Sequence, residues 1–209
     1  LYELMGANDK AEASYSQLFE LYPDNVFINA AYPRFLYFIG RFNDAKAAFE
    51  IALDRDIERN GLFANYAELL WLLEAKSSAL PWFEKAAKAN PNQSFANRLW
   101  KLLSQEISPA DRQKQIKHLE TGISQGDTWP KNYLEAALLI SLEDNSVANT
   151  STAIGYLQDA VDLGYRDSSY LLISPLFSQL RENPKFFQLI DHINQLRRES
   201  QQKITQAQQ

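Results

Sequence analysis

The chain has 209 residues, 45% of them apolar, with 7 Gly and 8 Pro, the balance of a soluble domain with a real hydrophobic core. Its formal charge of -5 argues against nucleic acid and anionic membrane surfaces, because both are held by clustered Lys and Arg. The absence of cysteine excludes disulfides, thiol nucleophiles and thiolate zinc sites, and no stretch approaches the roughly 18–20 apolar residues of a membrane-spanning helix.

In chain order, the first element is a helix carrying Ala11, Tyr15 and Leu18, spaced to lie on one face. The chain opens at Leu1 inside this helical region with no signal-like segment, so further sequence is expected upstream, and a cytoplasmic or a periplasmic compartment fits equally. The same face returns 34 residues later as Ala45, Phe49 and Ala52, and again as Ala79, Phe83 and Ala86. The offset also pairs Tyr2 with Leu36 and Leu70, Tyr32 with Tyr66, and Gly6 with Gly40 at a turn between helices. Pro23-Asp24-Asn25 matches Pro91-Asn92-Gln93, where proline bars continuation of one helix and a polar side chain can cap the next; Ile57 replaces the middle proline.

These residues resemble the tetratricopeptide repeat, a helix-turn-helix unit with small, aromatic and small residues in its second helix and a closing proline. The resemblance implies an all-α, right-handed solenoid of helix pairs. Residues 26–59 and 60–93 are two complete repeats, and residues 1–25 are the tail of a partial one. The family's tryptophan place is held here by Asn29 and Phe63, and its first glycine place by Pro33 and Ala67.

Beyond residue 94 the pattern degenerates. Gln115 to Leu119, ending at Gly126, aligns with Ala153 to Leu157, ending at Gly164, at an offset of 38 residues. Two degenerate repeats, 94–127 and 128–165, are expected, with Glu143 to Thr152 as a long polar turn. Residues 166–209 follow as a helical C-terminal cap and polar tail. Within them Ser174-Pro175-Leu176-Phe177 and Asn183-Pro184-Lys185-Phe186 are similar to the segment that ends such arrays in bacterial winged-helix regulators of the cadaverine-operon-activator type and in adenylate cyclases. Two prolines starting short helices, with Phe177, Leu180, Phe186, Phe187, Leu189 and Ile190 over the last seam, would close the solenoid. The tail from Arg197 onward is expected to fray.

No catalytic constellation is legible, so the chain is read as no enzyme and no cofactor is expected. His118 and His192 stand on separate helices without metal-ligand spacing, and the sequons at Asn92 and Asn149 read as chance. The resemblance implies a concave surface formed by the first helix of each repeat. The family's inward places fall on Phe27, Ala30, Arg34, Tyr37 and Phe38, then Ala64, Glu68, Trp71 and Leu72, continued by Phe95, Arg98 and Leu102. Aromatic rings beside an arginine suit an extended peptide, since rings give area at low rotamer cost and guanidinium can fork onto carboxylates or carbonyls. The family's chaperone-tail groove uses Lys and Asn where Ala30 and Arg34 stand, which argues against that ligand. The resulting expectation is a protein- or peptide-binding regulatory module of a larger bacterial signalling or transcription-regulator protein. A small-molecule-sensing helical domain and a helical appendage of a hydrolase such as a sulfatase are the competing readings.

Overall fold

The computed structural model describes residues 7–57, 60–89, 94–104, 108–142 and 146–207, and these are helical with short turns. They fall into two compact units, residues 1–106 and 107–209. No strand occurs among the described residues.

The first unit holds α1 (Asn8–Leu21), α2 (Val26–Phe38), α3 (Phe42–Asp54), α4 (Asn60–Leu73), α5 (Lys76–Ala89) and α6 (Ser94–Leu103). Sequential helices pack together, with α2 on α3 and α4 on α5 the most extensive pairs, and α2 also lies against α4. This is the all-α, tetratricopeptide-like helix-pair architecture that the 34-residue period implies. Its seam residues are sealed: Ala45, Phe49, Ala52 and Ala79 are 0% exposed, Ala86 1% and Phe83 2%. Small residues at these places let two backbones approach, and the aromatic ring fills the gap between pairs. Leu18 departs from the pattern. Although it aligns with Ala52 and Ala86, it is 41% exposed, because α1 packs on α2 without a first helix of its own among the described residues.

The turns explain the recurrent glycines. Gly40, at φ +81°, ends α2 with its N–H on the Tyr37 carbonyl, while the Arg41 N–H reaches the Leu36 carbonyl. Gly126 and Gly164, in the left-handed region at φ +92° and +105°, close their helices with the same pair of bonds. This C-cap satisfies otherwise orphaned carbonyls and favours the residue without a Cβ. Where Ile57 stands in the proline place, α3 ends in the same motif with Asp56 as the left-handed residue at φ +54°.

The second unit holds α7 (Pro109–Ser124), α8 (Pro130–Ser141), α9 (Val147–Asp162), α10 (Ser168–Ile173), a 3-10 helix η1 (Pro175–Glu182) and α11 (Pro184–Ala207). Helix α8 is its centre: Tyr133 through Ser141 are all buried, beneath α7, α9 and η1. Residues 174–193 cover this pair as a lid of apolar side chains, with Phe177, Leu180, Phe186 and Ile193 at 0% exposure.

Four sequence expectations are corrected here. The long turn over 143–152 is shorter than expected, because α9 already begins at Val147, with the Ser146 hydroxyl accepting from the Asn149 N–H. Pro184 opens a helix of 24 residues, not a short one, and the polar tail stays helical to Ala207. Its exposed turns carry an i,i+4 side-chain bond from Gln195 to Glu199 at 2.9 Å, which supports helix without burial. Phe187, expected in the cap's core, is 48% exposed, since its neighbour Phe186 takes the inward position. Pro91, Asn92 and Glu143 lie outside the described residues, as do Tyr2 and Gly6.

Candidate interaction surface

The expected binding strip begins on α2. Phe27, Ala30, Arg34 and Phe38 are spaced so that they follow one face of the helix. Phe27 is 68% exposed, and the other three are half-buried. The face is aimed by the start of the helix, where Asn25 caps α2 by accepting from the Phe27 and Ile28 N–H groups at 3.0 and 3.1 Å. At the other end, the Arg34 guanidinium carbon sits 5.0 Å from the centre of the Phe38 ring, a cation–π distance.

Helix α4 continues the strip only in part. It is flanked by α2, α3 and α5, so almost every residue from Leu62 to Leu70 is buried. Ala64 remains half-buried, and the last turn emerges: Trp71 is half-buried while Leu72 is 39% exposed. Lys76 Nζ lies 5.6 Å from the Trp71 ring centre. On α6, Arg98 is half-buried and Leu102 is 6% exposed; the Phe95 side chain lies outside the described residues.

Two residues of the expected strip do not face solvent. Tyr37 is 0% exposed. It stands about 100° of helix from Phe38, and its ring turns toward α3, 6.1 Å from Phe42 and 5.4 Å from Phe38. Glu68 is 4% exposed, whereas the equivalent Arg34 on α2 is half-buried. Neither side chain can meet a partner without rearrangement. The accessible strip is therefore Phe27, Ala30, Arg34 and Phe38 with Ala64, Trp71, Leu72 and Arg98.

Polar bonds between helices hold this strip in place, and sequence reasoning did not find them. Asn29, at the family's tryptophan place, is 0% exposed. Its amide donates to the carbonyls of Pro23 and Asn25 at 2.8 and 2.9 Å, and its oxygen accepts from Arg55 Nη1 at 2.9 Å. The same Arg55 nitrogen donates to the Phe19 carbonyl at 3.0 Å, with the guanidinium 4.4 Å from the Phe19 ring centre. One buried amide and one arginine thus join the ends of α1 and α3 to the start of α2. Further along, the Tyr66 hydroxyl donates to Glu50 at 3.2 Å, and burial beside that carboxylate pushes the phenol well above its usual range. Lys46 pairs with Glu74 at 2.9 Å, and hydrogen bonds from Lys46 and Ser78 hold the Glu74 carboxyl below its ordinary value.

The second unit repeats the tyrosine–carboxylate device. The Tyr156 hydroxyl donates to Glu120 at 3.1 Å, and burial beside that carboxylate pushes it up to about 12. Asp127 is held below its usual range by the Trp129 N–H and the Asn132 amide. His118 is exposed and His192 half-buried. Among the described residues, no group of three or more His, Asp or Glu side chains is placed to hold a metal ion, and no helix is long and apolar enough to cross a membrane.

The helix pairs define the class: an all-α, tetratricopeptide-like helical-repeat protein. No protein-family model matches the chain, and none of the curated proteins does. Among solved structures it is similar to a crystal structure of MamA, at 18% identity and a TM-score of 0.44 over 78% of this chain and 91% of that one. A second MamA crystal structure aligns at 18% identity and a TM-score of 0.43, over 81% of this chain and 89% of that one.

Proposed function

We propose that the chain is a non-catalytic module that binds a protein or an extended peptide along the first helices of its repeats. It would serve as the regulatory or scaffolding part of a larger bacterial signalling or transcription-regulator protein. The observation that carries this reading is the row of Phe27, Ala30, Arg34 and Phe38 on α2, accessible along its length and continued by Ala64 and Trp71 on α4. Two rings, each with a cation near its face, offer anchors for apolar side chains together with donors for a peptide's carbonyls or carboxylates.

The test is a peptide selection by display against the intact chain, followed by calorimetric titration of the selected peptides. Trp71→Ala and Phe38→Ala should each cost about 2 kcal/mol or more in binding, close to thirtyfold. Lys117→Ala, on an exposed position of α7, should cost nothing measurable. Equal affinities for all three variants would remove the strip from the reading.

A further inference from the structure

A second surface lies at the end of the first unit where α1 gives way to α2. Leu21, Tyr22 and Val26 are 60%, 54% and 44% exposed. Leu18 extends the apolar surface along α1, and Phe27 marks its border with the strip on α2. Scattered exposed apolar residues need no explanation, but five within ten consecutive positions form a patch of the kind that marks an interaction site.

Its charge setting is one-sided. Glu20 and Asp24 are exposed within it, and between Ala11 and Pro33 the sequence has no Lys or Arg at all. The end of α3 reaches the same turn, since Arg55 Nη1 bonds the Phe19 carbonyl and Asn29. The flanking Asp54 and Asp56 are exposed there as well. Arg55 itself is turned inward, onto those acceptors and the Phe19 ring. The result is an apolar surface with four exposed carboxylates on the segments that meet at this turn, where Arg55 is folded into the protein.

We infer that this surface docks a basic amphipathic helix, with Leu- or Phe-type side chains on Leu18, Leu21, Tyr22 and Val26 and with Lys or Arg facing Glu20, Asp24, Asp54 and Asp56. A second copy of this chain docking through the same patch is disfavoured, because a two-fold contact would bring Glu20 and Asp24 against their own counterparts. The site is separate from the α2–α4 strip: its anchors Leu18, Leu21, Tyr22 and Val26 lie outside that strip, and its charge is of the opposite sign to Arg34 and Lys76.

The probe is a Leu/Lys amphipathic helical peptide of about 14 residues, close to four turns, titrated against the intact chain. Its control has the same pattern with Glu in place of Lys. The Lys peptide should bind, more weakly as salt rises from about 0.1 to 0.5 M, and the Glu peptide should not. Leu21→Gln with Tyr22→Gln, and separately Glu20→Lys with Asp24→Lys, should each weaken binding roughly tenfold at unchanged helical content, while Trp71→Ala leaves it intact. Equal binding of both peptides, no binding of either, or indifference to the charge reversal overturns the proposal. Sedimentation showing a dimer that Leu21→Gln dissolves would assign the patch to a second copy instead. Hydrogen exchange showing Leu21 and Tyr22 protected by residues outside 1–209 in a longer polypeptide would assign it to that segment. Loss of peptide binding in Trp71→Ala would place the peptide on the strip.

Discussion

Arg55 and Asn29 meet through a 2.9 Å hydrogen bond between a guanidinium nitrogen and an amide oxygen of 0% exposed Asn29. The bond closes a circuit that includes the carbonyls of Phe19, Pro23 and Asn25. Breaking it leaves polar atoms buried without partners, which costs more than the bond itself contributes. Arg55→Ala and Asn29→Ala should each destabilise the chain by about 2 kcal/mol, and the double variant should cost clearly less than the sum. Urea unfolding of the four proteins checks this, and full additivity would mean the two residues act independently.

The helix ends give a prediction of opposite signs. Gly40 and Asp56 occupy equivalent left-handed positions, yet only one of them has a Cβ. A Cβ at Gly40 would meet no atom within 4 Å, so Gly40→Ala should cost only the backbone strain, about 1 kcal/mol. Asp56→Gly should relieve strain and stabilise by roughly 0.5 kcal/mol, the larger freedom of glycine in the unfolded chain offsetting part of the gain. Thermal melts should move in opposite directions; a shared sign would contradict the helix-end geometry.

Ala79, in the seam between α4 and α5, is 0% exposed. Ala79→Trp forces a large ring into that contact and should cost about 3 kcal/mol or more, seen as a lowered melting temperature or loss of cooperative unfolding by circular dichroism. Leu18→Ala, at a place equivalent by sequence to Ala52 and Ala86 but open to solvent, should stay within about 0.5 kcal/mol of the parent protein.

The two tyrosine–glutamate pairs predict alkaline sensitivity. Tyr66 and Tyr156 are both raised, first by burial and then by Glu50 and Glu120 respectively. A raised phenol favours the protonated form in the folded state, so its contribution is complete below the unfolded value near 10 and is lost as pH climbs toward 12. Titration followed by ultraviolet absorbance should show Tyr156 ionising near 12, and Tyr156→Phe should flatten the fall in stability across that window. Ionisation of Tyr156 near 10 would contradict the contact with Glu120.

The period was legible because a repeat writes its packing rule several times. Ala45 and Ala79, Phe49 and Phe83, and Gly40, Gly126 and Gly164 each appear where a helix contact or a left-handed turn demands that residue type. Periodicity of this sort fixes helix, turn and seam, since those depend on residues within one unit and its nearest neighbour. Accessibility of a face depends on which side chains from other helices close over it. Tyr37 and Trp71 are equivalent in sequence, but the first turns onto Phe42 while the second lies at the emerging end of α4. Arg34 and Glu68, also equivalent in sequence, differ in the same way, the first half-buried and the second 4% exposed. The inward turn of Arg55 depends in the same way on contacts with residues 26 and 36 positions away. Local pattern therefore determined the helical repeat, whereas which side chains could meet a partner was decided only when the helices packed, because burial is a property of neighbours brought together from distant parts of the chain.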